Sequence, residues 1–367
     1  MATNKSLYSD LPIPPGEYLA EVIDELGMTK DELAKRLNRP APKLSAIFKG
    51  EKAITPNTAL QLEKVVGVPA HIWTGLEAEY RLVLARRQQN LEQQQLKAES
   101  PLATRFRYAD LVKLGVVGKK TRPVDKVLEL QKFFGVTSLK TVLDLRRYQV
   151  AFRSGSSGKR SPEAVAAWLR IGELEAHKLQ CAPFNKNKLK GALYTIRAMT
   201  MQTPEHFQDN LRRVLADSGV ALVLCPHLPG TYAHGATFWL NREKAVVMMT
   251  FRYKWADIFW FSLFHELGHI FLYHNRQAVI LEGNNGGSSL DKQDAEANRF
   301  AADTLIPPSL HKEFVKKRSF YPEDMINFAG QLGLSPGIVI GRLQNDKHLD
   351  PSWHNSLRTR LEWKSTD

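Results

Sequence analysis

Residues 255–273 constrain this chain more than any other segment. Ile258, Phe259, Phe261, Leu263, Phe264, Leu267, Ile270 and Phe271 make nearly every direction around a helix apolar, yet the same stretch contains His265-Glu266-Leu267-Gly268-His269. A helix apolar all round is a buried helix. Two histidines and a carboxylate inside it are costly unless something satisfies them, and a metal ion does so directly. Histidines four residues apart project from one helix face, close enough for both rings to reach one ion, with the glutamate beside them. His-Glu-x-x-His is therefore expected to be a zinc site, with His265 and His269 as ligands and Glu266 as general base. The polar groups, and the lack of a second apolar stretch beside it, argue against a membrane span.

A catalytic zinc needs a third protein ligand and an open position. Residues 291–308 read as a second amphipathic helix with Ala297, Phe300, Ala301 and Leu305 inward, ended by Ile306-Pro307-Pro308. It offers Asp294, Glu296 and Asp303. Asp294 and Glu296 point to different sides of a helix, so only one of that pair can face the metal, and spacing does not choose among the three. Upstream, residues 219–225, 236–240 and 245–250 alternate with turn residues like three short strands, predicting a small antiparallel sheet. Residues 245–250 are expected to pair with an extended peptide. Tyr232, His234, Tyr273 and His274 are the candidate donors to a developing oxyanion.

The N-terminal residues carry helix-start chemistry instead of strand alternation. Pro15-Gly16 opens a helix with Leu19, Ala20, Val22, Ile23 and Leu26 on one side, and Gly27 closes it. Thr29-Lys30-Asp31-Glu32 matches a capping box. A third helix carries Leu44, Ile47 and Phe48 inward and leaves Lys43, Ser45, Ala46 and Lys49 outward. Thr55-Pro56 starts a fourth with Ala59, Leu60, Leu62 and Val65. This is a helix-turn-helix pattern, and residues 70–99 continue it as one long helix.

Cys181 and Cys225 are the only cysteines, which excludes a disulfide framework and any cysteine-rich zinc module. The first fifteen residues lack an apolar core followed by a small-residue cleavage site, so the expected location is the cytoplasm. The net charge of +13 is unevenly spread. Residues 1–60 balance eight basic against eight acidic side chains, whereas residues 105–160 hold fourteen against four. That surplus suits phosphate contact and a solvated helix face equally. Ser154-Gly155-Ser156-Ser157-Gly158 reads as a flexible loop, and Ser161-Pro162 restarts a helix.

Pro15-Gly16-Glu17, Ala53-Ile54-Thr55-Pro56-Asn57-Thr58-Ala59-Leu60 and Ile72-Trp73 resemble the HigA group of XRE-type antitoxins over residues 12–85. The resemblance implies double-stranded operator DNA as partner. It places Arg39, Lys43, Ser45, Lys49 and Lys52 near the major groove and the Thr29 helix end near a phosphate. Pro40, Ala41 and Pro42 stand where polar residues usually begin the reading helix. Heads of this kind read paired half-sites, which is compatible with a homodimer.

His265-Glu266-Leu267-Gly268-His269, Glu296-Ala297-Asn298-Arg299-Phe300-Ala301-Ala302 and Ser335-Pro336-Gly337-Ile338-Val339-Ile340-Gly341-Arg342-Leu343 are similar to the ImmA/IrrE metallopeptidases over residues 205–345. This resemblance implies a zinc site of two histidines and one glutamate, Glu296, with a regulatory protein as substrate. The expected fold is mainly α with a small α+β part. Residues 1–85 form the helix-turn-helix bundle, 86–204 a helical basic connector, and 205–367 a zincin-like zinc domain. Two functions follow. In one, a DNA-binding regulator cleaves a protein partner, with Glu266 activating water. In the other, an antitoxin and autorepressor neutralises a toxin, encoded by a neighbouring gene, by binding alone.

Overall fold

Helix-start chemistry places the N-terminal helices where the sequence puts them. In this computed structural model, which describes residues 11–146, 148, 160–250, 254–272, 280–281 and 289–361, α1 spans Pro15–Glu25, α2 Lys30–Arg36, α3 Ala41–Phe48 and α4 Pro56–Val66. Thr29 Oγ1 accepts from the Glu32 amide at 3.2 Å, and Thr55 Oγ1 from the Thr58 amide at 3.3 Å. Glu32 does not reach back to complete a capping box; it pairs with Arg36, one turn on, at 2.5 Å. Gly16 is where α1 meets α3: a Cβ there would stand 2.4 Å from Ile47 O and Phe48 Cα. Leu19, Leu33, Leu44 and Leu62 form the core, and Leu26 and Leu60, expected inside, are each 53% exposed.

The long helix α5 spans Ala70–Arg105, and its first turns complete this core. Trp73 is fully buried and donates to Val68 O at 3.1 Å. Glu77 accepts from the Ile54 amide at 3.0 Å and from Arg81 at 2.7 Å, while Arg81 also donates to Gly50 O. Compact packing divides the chain within this helix, into residues 1–98 and 99–367. The helical stretch expected as a connector over 86–204 falls on both sides of that division.

That second unit continues with α6 (Tyr108–Lys113), α7 (Pro123–Phe134), α8 (Pro162–Lys178), α9 (Lys186–Ala198) and α10 (Pro204–Ala216). Ser161 caps α8 by accepting from the Ala164 amide at 3.3 Å. The loop expected at 154–158 lies outside the described residues. Strands β1 (Val220–Leu224), β2 (Gly235–Asn241), β3 (Lys244–Met249) and β4 (Ile280–Leu281) form a sheet in the order β1-β3-β2-β4.

The sheet corrects two expectations. It is mixed, not antiparallel throughout, since β1 runs parallel to β3 with Leu222 opposite Val247. And β3 has a neighbour on each side, so both its edges are taken and residues 245–250 cannot add a peptide strand. The two faces follow from strand alternation. Val220, Leu222, Ala245, Val247 and Met249 join one core with helix α11 (Ala256–Leu272). Met248, on the opposite face, touches α8 at Gly172, where a Cβ would meet its sulfur at 1.9 Å. Next come α12 (Ser289–Leu305), α13 (Pro308–Lys316), α14 (Pro322–Leu332) and α15 (Pro336–Asn345). The C-terminal segment folds back on the start of α11: Arg358 pairs with Asp257 at 2.7 Å, and the Ala256 amide donates to Thr359 O. Among the described residues, no helix is long and apolar enough to cross a membrane.

Candidate metal centre

Helix α11 is buried from Ser262 to Phe271, and His265, Glu266 and His269 are at most 1% exposed. The fourfold spacing turns both rings to one side, with their Nε2 atoms 2.9 Å apart. Helix α12 lies against that side, closely approached at Gly268, where a Cβ would be 3.1 Å from Phe300 and 3.3 Å from Ala297 Cα. Asp294, Ala297, Asn298 and Ala301 share the face of α12 that the i, i+3, i+4, i+7 spacing sets together. Two of them reach the histidines. Asp294 Oδ1 is 3.4 Å from His269 Nε2, and Asn298 Oδ1 is 2.8 Å from His265 Nδ1.

The carboxylate brought to the histidines is therefore Asp294, not the expected Glu296. One ligand atom each from His265, His269 and Asp294 lies within 4.8 Å of the others. Two residues further along a helix, Glu296 is turned to another side, where it lines a separate opening with Leu272, Arg299, Phe300 and Asp303. Asp303, the third carboxylate considered, is on that side as well. Spacing alone allowed either member of the pair; the packing of α12 on α11 decides.

The donor set fits a zinc ion. An amide oxygen can only accept, so the Asn298 contact places the proton on His265 Nδ1 and leaves its Nε2 lone pair facing His269. Two such nitrogens 2.9 Å apart repel unless a proton or a cation lies between them. Burial and the facing His269 push His265 down to about 4, against the proton. Two imidazoles and a carboxylate are the ligand types of a catalytic zinc site.

Glu266 is held from the sheet. Thr237 Oγ1, on β2, lies 2.5 Å from Glu266 Oε2 and 3.2 Å from its carbonyl. Gly235, two residues earlier on the same strand face, has no room for a side chain, because a Cβ would be 2.7 Å from Glu266 Oε1. Thr237, Gly235 and Asn298 escaped the sequence reading. The strand's period of two links Gly235 with Thr237, and the helix period links Asn298 with Asp294, but neither pattern says what the faces meet. Of the oxyanion candidates, His234 adjoins Gly235 and lines a cavity with Ser262 of α11. Tyr232 is 39% exposed, in left-handed backbone at φ 49°. Tyr273 and His274 lie outside the described residues.

In the N-terminal unit, Lys43, Ser45 and Lys49 are exposed on α3, as are Lys52 beyond its end and the capping Thr29. Arg39 is half-buried and donates from Nε to Gln61 of α4 at 2.9 Å, an anchoring contact within the bundle.

A helix-turn-helix unit and a second unit built around a buried His-Glu-x-x-His helix define a regulator of DNA-binding type with a peptidase-type domain. Residues 19–73 match the helix-turn-helix family, and residues 257–344 match the family described as the IrrE N-terminal-like domain. The chain thus carries an XRE-type helix-turn-helix domain over residues 19–73 and, over residues 257–344, a segment that matches the IrrE-like peptidase family. It is 30% identical over 100 residues to "Virulence-associated protein I" of Dichelobacter nodosus, covering 27% of this chain and 89% of that protein. It is 29% identical over 73 residues to an uncharacterized HTH-type transcriptional regulator of Escherichia coli, covering 20% of this chain and 78% of that one. Among solved structures, an addiction module antidote protein of the HigA family from Coxiella burnetii is 38% identical, covering 22% of this chain and 87% of its own, with a TM-score of 0.21.

Proposed function

We propose that this protein is a DNA-binding regulator whose second domain is a zinc-dependent endopeptidase acting on a regulatory protein partner. The observation that carries this reading is Glu266: a buried carboxylate held by Thr237 beside two facing histidines and Asp294. A site meant only to stabilise the fold has no use for a fourth ionisable group next to the ligands. His265, His269 and Asp294 would hold the ion. Bound zinc supplies an acidified water and polarises the peptide carbonyl. Glu266 accepts the proton of the attacking water and returns it to the leaving amine. Thr237 fixes one Glu266 oxygen, and Asn298 fixes the ring of His265. His234, immediately before β2, is the proposed donor to the oxyanion.

Lys43, Ser45, Lys49, Lys52 and Thr29 are the proposed DNA contacts, with Arg39 bracing α4 against the turn. A second reading, a repressor and antitoxin that neutralises its partner by binding, draws on the match of residues 19–73 to the helix-turn-helix family. One experiment separates the two. Purified zinc-loaded protein is mixed with the product of the neighbouring gene and examined by mass spectrometry, with Glu266→Gln as control. Fragments absent from the control support the peptidase. Equal fragments in both, or no zinc in the purified protein, would falsify it; a stable uncut complex supports the second reading.

A further inference from the structure

Beside the metal centre is a cavity of about 180 Å3, walled by Ile258, Phe261, Leu305, Ile306 and Ile338. It is larger than the ~150 Å3 apolar cavities that stay dry and admit benzene. The charges at its margin are already matched: Asp257 receives Arg358 at 2.7 and 3.0 Å, and Arg342 donates to Asp346 at 2.6 Å. Apart from these pairs and the polar His234, Ser262 and Asn345, the lining is apolar and asks for an apolar occupant.

Three elements carry the cavity to the reacting groups. Ser262 of α11 lines it, with His265 and Glu266 one turn further on. Ala302 of α12 lines it, one turn beyond Asn298, the partner of His265. His234 lines it and precedes Gly235, the residue pressed against Glu266. One helical turn is about 5.4 Å, within the reach of a side chain adjacent to the bond being cut.

We infer that this cavity is the specificity subsite, receiving a large apolar side chain, of leucine or phenylalanine size, next to the cleaved peptide bond. The inference rests on the peptidase reading and adds the substrate class. A peptide lying against Glu266 drops that side chain between α11, α12 and α15, while glycine leaves the cavity unfilled and lysine or glutamate would bury an unpaired charge there.

Full-length Glu266→Gln protein, loaded with zinc, is titrated with N-acetyl-leucinamide, N-acetyl-phenylalaninamide, N-acetyl-glycinamide and N-acetyl-lysinamide by saturation-transfer NMR. The leucine and phenylalanine amides are expected to bind about tenfold or more tighter than the glycine amide. Ala302→Phe, filling the cavity, and Ile258→Asp, charging a half-buried wall, each remove that preference; circular dichroism melts identify any variant that fails to fold. Wild-type protein then digests a random-sequence peptide mixture, and the cut sites are expected to be flanked by Leu, Ile, Met or Phe, with Ile258→Asp shifting them toward Lys and Arg. Equal binding of the four amides overturns the subsite. Cutting without apolar enrichment overturns it too and leaves the peptidase reading standing. Selective amide binding with no cutting by wild type overturns the peptidase reading and, with it, the cavity's role as a subsite.

Discussion

At the scale of single residues, the choice between Asp294 and Glu296 has a direct consequence. Asp294→Asn removes a carboxylate that faces the histidine pair, so its zinc content after dialysis is expected to fall sharply, whereas Glu296→Gln retains zinc. Metal analysis of the two variants checks this, and the reverse pattern would return the ligand to Glu296. Thr237 is expected to act through Glu266. Thr237→Val is predicted to slow substrate cleavage by about 10- to 100-fold with zinc content unchanged, and Thr237→Ser to recover most of the rate, since the hydroxyl is the part that matters. His311 adds a pH dependence. Burial, then the Arg342 guanidinium and His348, outweigh Asp346 and hold its pKa below the ordinary imidazole value. The folded state therefore binds fewer protons than the unfolded chain below about pH 6.5. The contribution to stability is complete above that pH and is lost as pH falls toward the folded value. In urea denaturation of zinc-loaded protein, His311→Gln is expected to flatten the decline below pH 6.5.

Elements depend on where backbones come closest. The α1–α3 contact at Gly16 is backbone against backbone, so Gly16→Ala cannot be relieved by moving a flexible side chain. A loss of about 1–3 kcal/mol is expected, read as a lower urea midpoint of the N-terminal unit. The capping threonines Thr29 and Thr55, the glycine after α1, and strands β1 to β3 were legible because their causes are local: a side-chain oxygen meets the next turn's amide, or a period of two meets a buried face. The exposure of Leu26 and Leu60 was not. Both satisfy an amphipathic pattern, but whether a partner helix reaches them depends on packing elsewhere in the bundle. The parallel direction of β1 was likewise hidden, since a strand's residues do not record which neighbour it takes.

At the scale of the whole molecule, two compact units predict two thermal transitions in place of one. A chelator is expected to lower only the transition of residues 99–367, because a ligand stabilises the unit that binds it. Calorimetry with and without added zinc checks both statements, and a single transition shifted as a whole would refute them. Much of this architecture was written in the chain: a helix-turn-helix head, a long helix after it, and a buried helix whose histidines and glutamate require a partner. Those features are set by local periodicity, capping and the cost of burying charge, all properties of short segments. Tertiary structure alone decided the third carboxylate, the hold of Thr237 on Glu266, the lost edge of β3 and the cavity beside the site. Each depends on which faces of α11, α12, α15 and the sheet are pressed together, and residues far apart in sequence meet only after that packing is complete.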